Sequence, residues 1–125
     1  MTLGEDFVAA LSARSGDQLR AVLAPDVDFK ALTPGRFWEA TDADAVVDDI
    51  ILGKWFEDSD HISDVVDVQT GVLPDSERVG YLLRVDNADG EFLVEQQAYY
   101  EQDAGRISWM RVVCSGYRRS TTSTP

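Results

Sequence analysis

The chain carries one cysteine, Cys114, and one histidine, His61, so thiol or imidazole chemistry would have to come from those two side chains. A reactive thiol needs a cationic neighbour or a helix N-terminus to lower its pKa. Val112 and Val113 precede Cys114 in a strand-like run, where a cysteine reads as a small hydrophobe. His61 is the catalytic candidate by residue type, since imidazole titrates near neutral pH. Its neighbours, Ser59-Asp60 and Ile62-Ser63-Asp64, read as an exposed helix-to-strand connector. One histidine among scattered aspartates lacks the spacing of a zinc or facial-triad site, so neither metal nor cofactor is expected. Arg84, Arg111, Asp86 and Glu95 supply the types needed for a carboxylate-guanidinium relay that activates water. In an acidic chain such residues more often form cross-strand ion pairs worth about 0.2 to 1 kcal/mol, Arg111 with Glu95 or Glu101 being a natural pair. The run Glu95-Gln96-Gln97-Ala98-Tyr99-Tyr100 is unusual, because a strand turns one glutamine and one tyrosine to each face. A buried glutamine must find partners.

The elements that would position these groups follow from periodicity. Phe7, Val8, Ala10 and Leu11 form the stripe of a helix over 5–14. Ser15 and Gln18 have capping-box spacing for a second helix carrying Leu19, Val22 and Leu23, closed by Pro25. Asp26 to Leu32 alternates as a short strand before the Thr33-Pro34-Gly35 turn. Thr41 is placed to cap a third helix with Val46, Val47, Ile50, Ile51 and Trp55 on one side. Trp38 and Trp55, with Phe37 and Phe56 beside them, are expected to cap a cavity or fill the core. Beyond Asp60 the period becomes two, giving strands over Ile62 to Leu73, Arg78 to Asp86, Glu91 to Tyr100 and Arg106 to Tyr117. Short connectors between them imply antiparallel neighbours. The layout is α+β, with helices covering one face of a sheet.

Composition bounds the function. At 125 residues the chain has room for one domain. Its 23 acidic against 11 basic residues give a formal charge of −12, which argues against nucleic acid or an anionic membrane as partner. No apolar run approaches the roughly 20 residues of a bilayer span. The opening MTLGEDF lacks the layout of a secretory signal, so a cytoplasmic location is expected.

Three segments carry a family likeness. They are Phe7 to Leu11 followed by Asp17 to Val27, the hairpin Glu77 to Gly90, and Gly105-Arg106-Ile107-Ser108-Trp109-Met110-Arg111. Together they resemble the opening helix pair and first strand, the middle hairpin and the last strand of the nuclear transport factor two-like superfamily, which includes ketosteroid isomerases and SnoaL-like polyketide cyclases. The resemblance implies a cone, or cystatin-like roll: three N-terminal helices packed in a strongly curved antiparallel sheet, one domain over 1–119 and a flexible tail over 120–125. Isomerase chemistry needs a carboxylate base and two donors for the enolate oxygen. Carried along the resemblance, these positions hold Phe7, Ala31 and Gln97, so the reacting groups are missing, although Gln97 keeps an amide donor. The same register puts Met110, Val112 and Cys114 on the cavity wall. In the hairpin it puts Leu82, Arg84 and Asp86 inside, whereas alternation favours Val79, Tyr81, Leu83 and Val85; a slip of one residue exchanges the faces, and the apolar set is preferred.

The expectation is a binder of a small apolar or aromatic ligand, in a cavity lined by Phe7, Phe29, Met110, Val112 and Cys114, with Gln97 and Tyr99 orienting it. One alternative is a SnoaL-like cyclase, isomerase or dehydratase using His61 or an unassigned carboxylate as base. Another is an interaction module without ligand. A homodimer through the sheet face is expected in either case.

Overall fold

A computed structural model describes residues 2–120. Thr2 opens α1 (Leu3–Ser12) with a reciprocal cap, its hydroxyl accepting from Glu5 N–H while Glu5 Oε1 accepts from Thr2 N–H. Two of the donors that a helix start leaves free are thereby satisfied. Ser15 caps α2 (Gly16–Val22) by accepting from Gln18 N–H, as their spacing predicts. The chain passes directly into β1 (Leu23–Thr33), so Pro25 lies within the strand, where pairing with its parallel neighbour is interrupted. The Thr33 to Gly35 turn leads into β2 (Arg36–Ala40), an edge strand that the sequence pattern does not announce.

The third helix (Ala45–Trp55) buries Val46, Val47, Ile50, Ile51 and Trp55, as expected, but it is wound as a π-helix. Phe56 N–H donates five residues back, to Ile51 O, at 2.8 Å. The wider turn brings Gly53 against the Asp48 carbonyl, which a Cβ at position 53 would strike; the winding requires glycine there. Asp42, not Thr41, prepares the helix start, accepting from Ala45 N–H at 2.7 Å. Arg20 of α2 pairs with Asp44 and Asp48 at 2.8 and 2.6 Å. These exposed pairs orient the helix more than they stabilise it, at about 1 kcal/mol or less each.

Five further strands follow: β3 (His61–Val72), β4 (Glu77–Asn87), β5 (Gly90–Asp103), β6 (Arg106–Cys114) and β7 (Arg118–Arg119). The order across the sheet is β2-β1-β6-β5-β4-β3, with β7 on β5. All pairings are antiparallel except that of β1 with β6. The expected antiparallel sheet is therefore mixed, because β6 returns beside β1 only after a long excursion, which a parallel connection needs. The sheet is curved, unclosed and wrapped over the helices as an α+β cone. β6 ends at Cys114 rather than at Tyr117, and Ser120, placed in the expected tail, donates to Glu91 O at 3.1 Å. The rest of that tail, 121–125, lies outside the described residues.

Burial resolves the register. Val79, Tyr81, Leu83 and Val85 face inward, as apolar alternation predicts, and Leu82, Arg84 and Asp86 do not. On β5 the inward set is Val94, Gln96, Ala98 and Tyr100. Gln97 and Tyr99, both expected in the cavity, lie on the outer face. The cause is pairing: Gln96 stands opposite Cys114, Ala98 opposite Val112 and Tyr100 opposite Met110, and directly opposed residues share a face. A count through the turn misses this because Glu101 pairs with Trp109 but Gln102 with Ile107. The bulge at Ser108 reverses parity between the turn and the body of the strand.

The inner face of β5 is anchored at its α1 end. There Tyr100 Oη accepts from Gly4 N–H at 2.9 Å and donates to Glu77 Oε1 at 3.2 Å, while Gln102 donates to the other oxygen of Glu77. A Cβ at Gly4 would lie 2.8 Å from Val79 Cβ and 2.9 Å from Tyr100 Oη, so close helix-to-sheet approach depends on that glycine. No helix among the described residues is long and apolar enough to cross a membrane.

Candidate ligand-binding site

Farther along the same inner face, the turn after β1, β2, the third helix, β5 and the segment after β6 enclose a cavity of about 200 Å³. Its wall comprises Thr33, Trp38, Lys54, Trp55, Phe56, Val94, Gln96, Cys114, Gly116 and Tyr117. The π-winding delivers residues 54–56 to this wall. Tyr117 Oη donates to Trp55 O at 2.7 Å and its ring packs on Phe56 and Phe92, at centroid distances of 6.2 and 5.6 Å. Arg14 donates to Phe56 O at 2.7 and 3.2 Å. Carbonyls left free at the helix end are thus held from two sides. Trp38 meets Trp55 edge-on, at 6.2 Å and 88°, while its Nε1–H donates to Thr33 Oγ1 at 2.8 Å.

Of the seven ligand-binding residues expected from sequence, Cys114 alone stands in this wall, half-buried, its Sγ accepting from Gly116 N–H at 3.3 Å. Phe7, Phe29, Met110 and Val112 belong to the solid core behind it. Phe29 supports Trp55 at 5.9 Å and Phe7 supports Tyr81 at 6.3 Å. The cavity is smaller than expected because these side chains occupy the interior. Gln97 accepts from Arg78 at 3.2 Å and donates to Glu95 at 3.0 Å, folded over Gly80 on the outer face, and Tyr99 is exposed beside it. His61 is exposed at the start of β3, opposite Asp86 and outside the pocket wall. Arg84, Asp86, Glu95 and Arg111 all lie on the outer side of the sheet, so no water-activating relay forms inside. Arg111 pairs with Asp28 at 3.2 Å, rather than with Glu95 or Glu101, and stacks over Trp109 at 4.5 Å. Among the described residues no cluster of three His, Cys, Asp or Glu side chains is placed to hold a metal ion.

The polar groups of the wall are unevenly satisfied. Gln96 is 1% exposed, and its Oε1 accepts from Tyr81 Oη at 2.5 Å, yet its Nε2 has no partner among the described residues. The buried Trp55 Nε1 has none either. Leaving a buried donor unpaired costs about 1 to 3 kcal/mol. Burial pushes the Tyr81 phenol well above its ordinary pKa, with Cys114 adding to the effect. Burial does the same to Tyr117, reinforced by the Asp60 and Glu57 carboxylates. Both phenols stay protonated. A larger depression of about 510 Å³ lies along Asp28 to Lys30 and Glu39 to Thr41, but among the described residues no buried side-chain donor or acceptor there lacks a partner.

Trp38 and Trp55, expected from sequence either to cap a cavity or to fill the core, both stand in this wall. Sequence reasoning missed Gln96 by one position of parity, and Tyr117 by extending a strand past Cys114. Gly116 is the signal in the sequence that the strand ends before Tyr117, and the structure holds it at a φ of +74°.

A curved sheet over three helices, with one aromatic-walled pocket between the third helix and the sheet, defines a cone of the nuclear transport factor two-like fold. Solved structures agree. A proposed isomerase from Rhodopseudomonas palustris is 18% identical, with a TM-score of 0.70 over 93% of this chain and 91% of its own. An LEH-like epoxide hydrolase from M. tuberculosis is 15% identical, with a TM-score of 0.65 over 90% and 80%. An NTF2-like protein from Burkholderia thailandensis is 16% identical, with a TM-score of 0.65 over 92% of each chain. At these identities the likeness is one of fold, which carries many activities. No family model and no curated protein matches the sequence.

Proposed function

We propose that the protein binds a small apolar or aromatic molecule in the pocket walled by Trp38, Trp55, Phe56, Cys114 and Tyr117. The observation that carries this reading is the stranded Gln96 amide, an unpaired donor in a side chain 1% exposed on the pocket wall. An apolar cavity of about 150 Å³ holds benzene. A pocket of about 200 Å³ therefore suits one substituted ring. The titratable side chains of the wall are Lys54, Cys114 and Tyr117, and Tyr117 is held protonated, so binding is preferred over an isomerase, cyclase or dehydratase step. The test is titration with single-ring aromatics in a Trp109→Phe background, where Trp38 and Trp55 alone fluoresce. Saturable quenching, lost when Val94→Phe fills the pocket, is expected. Absence of saturable change with every ring compound up to its solubility would refute the reading.

A second reading concerns the outer face. Phe37, Leu32 and Val113 are 52, 52 and 57% exposed and stand side by side in register across β2, β1 and β6. The adjacent charges are internally paired, Lys30 with Glu39 at 3.8 Å and Arg111 with Asp28 at 3.2 Å, so this patch lacks the acidic excess of the whole chain. A second copy of the same face is the partner it fits. Sedimentation equilibrium should show a dimer that Val113→Glu dissociates; a wild-type monomer at high concentration would end the idea. We further propose a cytoplasmic location, supported by the acidic composition and the single, unpaired thiol.

A further inference from the structure

We infer that the pocket's ligand is a neutral carbonyl compound built on a single ring, its oxygen accepting hydrogen bonds from Gln96 Nε2–H and Trp55 Nε1–H. The inference rests on the binding reading above and adds the chemistry of the ligand. It comes from pairing every polar group of the wall. Each of these acceptors already has a partner within the chain: Trp55 O has Tyr117, Phe56 O has Arg14, Thr33 Oγ1 has Trp38, Gln96 Oε1 has Tyr81 and Cys114 Sγ has Gly116. The hydroxyl and indole donors of Tyr117 and Trp38 are spent on those same bonds. Two buried donors have no partner among the described residues, the amide of Gln96 and the indole of Trp55. A ligand presenting N–H or O–H alone would leave both of these donors unpaired. An acceptor oxygen answers the surplus.

Charge selects among acceptors. A buried carboxylate requires a paired cation, since taking an ion out of water costs several kcal/mol. The cation of the wall is Lys54, which is exposed and therefore water-screened. Asp60 and Glu57 sit close enough to Tyr117 to raise its pKa, so the field on that side opposes an anion. Free amide and indole donors are neutral and match a neutral oxygen. Aromatic walls from Trp38, Trp55 and Tyr117 supply area for the ring, and the volume matches a single ring.

Four probes of nearly one shape test this: acetophenone, its isostere α-methylstyrene, 1-phenylethylamine and benzoate. Binding is followed on the wild-type chain by the ¹H–¹⁵N resonances of the Trp55 indole and the Gln96 side-chain amide. Acetophenone is expected to bind at least about tenfold more tightly than α-methylstyrene and to shift both resonances downfield, the effect of pairing stranded donors. Trp55→Phe, which keeps an aromatic ring but removes the indole N–H, should weaken acetophenone several-fold more than it weakens α-methylstyrene, without depending on how Gln96 variants fold. Equal binding of ketone and hydrocarbon, or tighter binding of benzoate or the amine, would overturn the carbonyl assignment while leaving the pocket occupied. No perturbation of either resonance by any of the four would overturn both readings together.

Discussion

The inner face of β5 holds two buried polar residues four positions apart, and they differ in how they are completed. At the α1 end Tyr100 has a backbone N–H to accept from and a carboxylate to donate to, all within the chain. At the pocket end Gln96 has one partner for its oxygen and, among the described residues, none for its nitrogen. Each end also relies on a glycine for close approach, Gly4 under Val79 and Gly53 beside the Asp48 carbonyl. The α1 end is thus finished as structure. The pocket end is built with comparable care but left open in one chemical respect, which identifies where function is sought.

Raising the pH should have the largest effect and show which end yields first. Tyr81, Tyr100 and Tyr117 all have raised pKa values, burial being the leading cause in each. The folded chain keeps these protons above pH of about 10, where the unfolded chain releases them, so stability present below that pH falls as pH rises through it. Tyr81 and Tyr117 lie at or behind the pocket. Tryptophan fluorescence should therefore change at lower pH than far-ultraviolet dichroism; coincident transitions would mean the ends are not independent. Next comes Gly53→Ala, which drives a Cβ into rigid backbone and should cost about 3 kcal/mol. It should also abolish aromatic binding by moving Trp55. Gly4→Ala should cost about 2 kcal/mol through Val79, with ligand affinity preserved. Tyr100→Phe strands the Gly4 N–H and should cost about 1 to 3 kcal/mol in denaturant melts, again without touching affinity.

How much of this contrast the sequence disclosed depends on the range of the interaction. Helix stripes, the Ser15 cap and the β4 alternation are local patterns, and each is found where periodicity puts it. The fold was also legible, because the order of elements and the opening helix pair resemble a known superfamily. The sequence reading puts Gln97 and Tyr99 in the cavity, and each stands one position from the residue that faces inward, Gln96 and Tyr100. Choosing Gln96 over Gln97 required the bulge at Ser108, which depends on how β6 meets β5 and leaves no mark on periodicity. Likewise, Phe7, Phe29, Met110 and Val112, read from the sequence as cavity lining, are packed in the core. Facing follows from parity; depth follows from how many other side chains converge on the same space.

The smallest expected effect separates the two ends most cleanly. Tyr81 and Gln96 satisfy one another, so removing either alone strands its partner, whereas replacing both removes a bond and the unpaired Nε2 together. Exchanging both members of a buried hydrogen-bonded pair for apolar groups is close to neutral. Tyr81→Phe with Gln96→Leu should therefore change stability by less than about 1 kcal/mol, in either direction, while Tyr100→Phe at the completed end is costly. A double mutant cycle on thermal or denaturant unfolding measures it. A loss matching that of Tyr100→Phe would mean that the Gln96 amide does structural work in the free protein, and the case for a ligand oxygen at Nε2 would go with it.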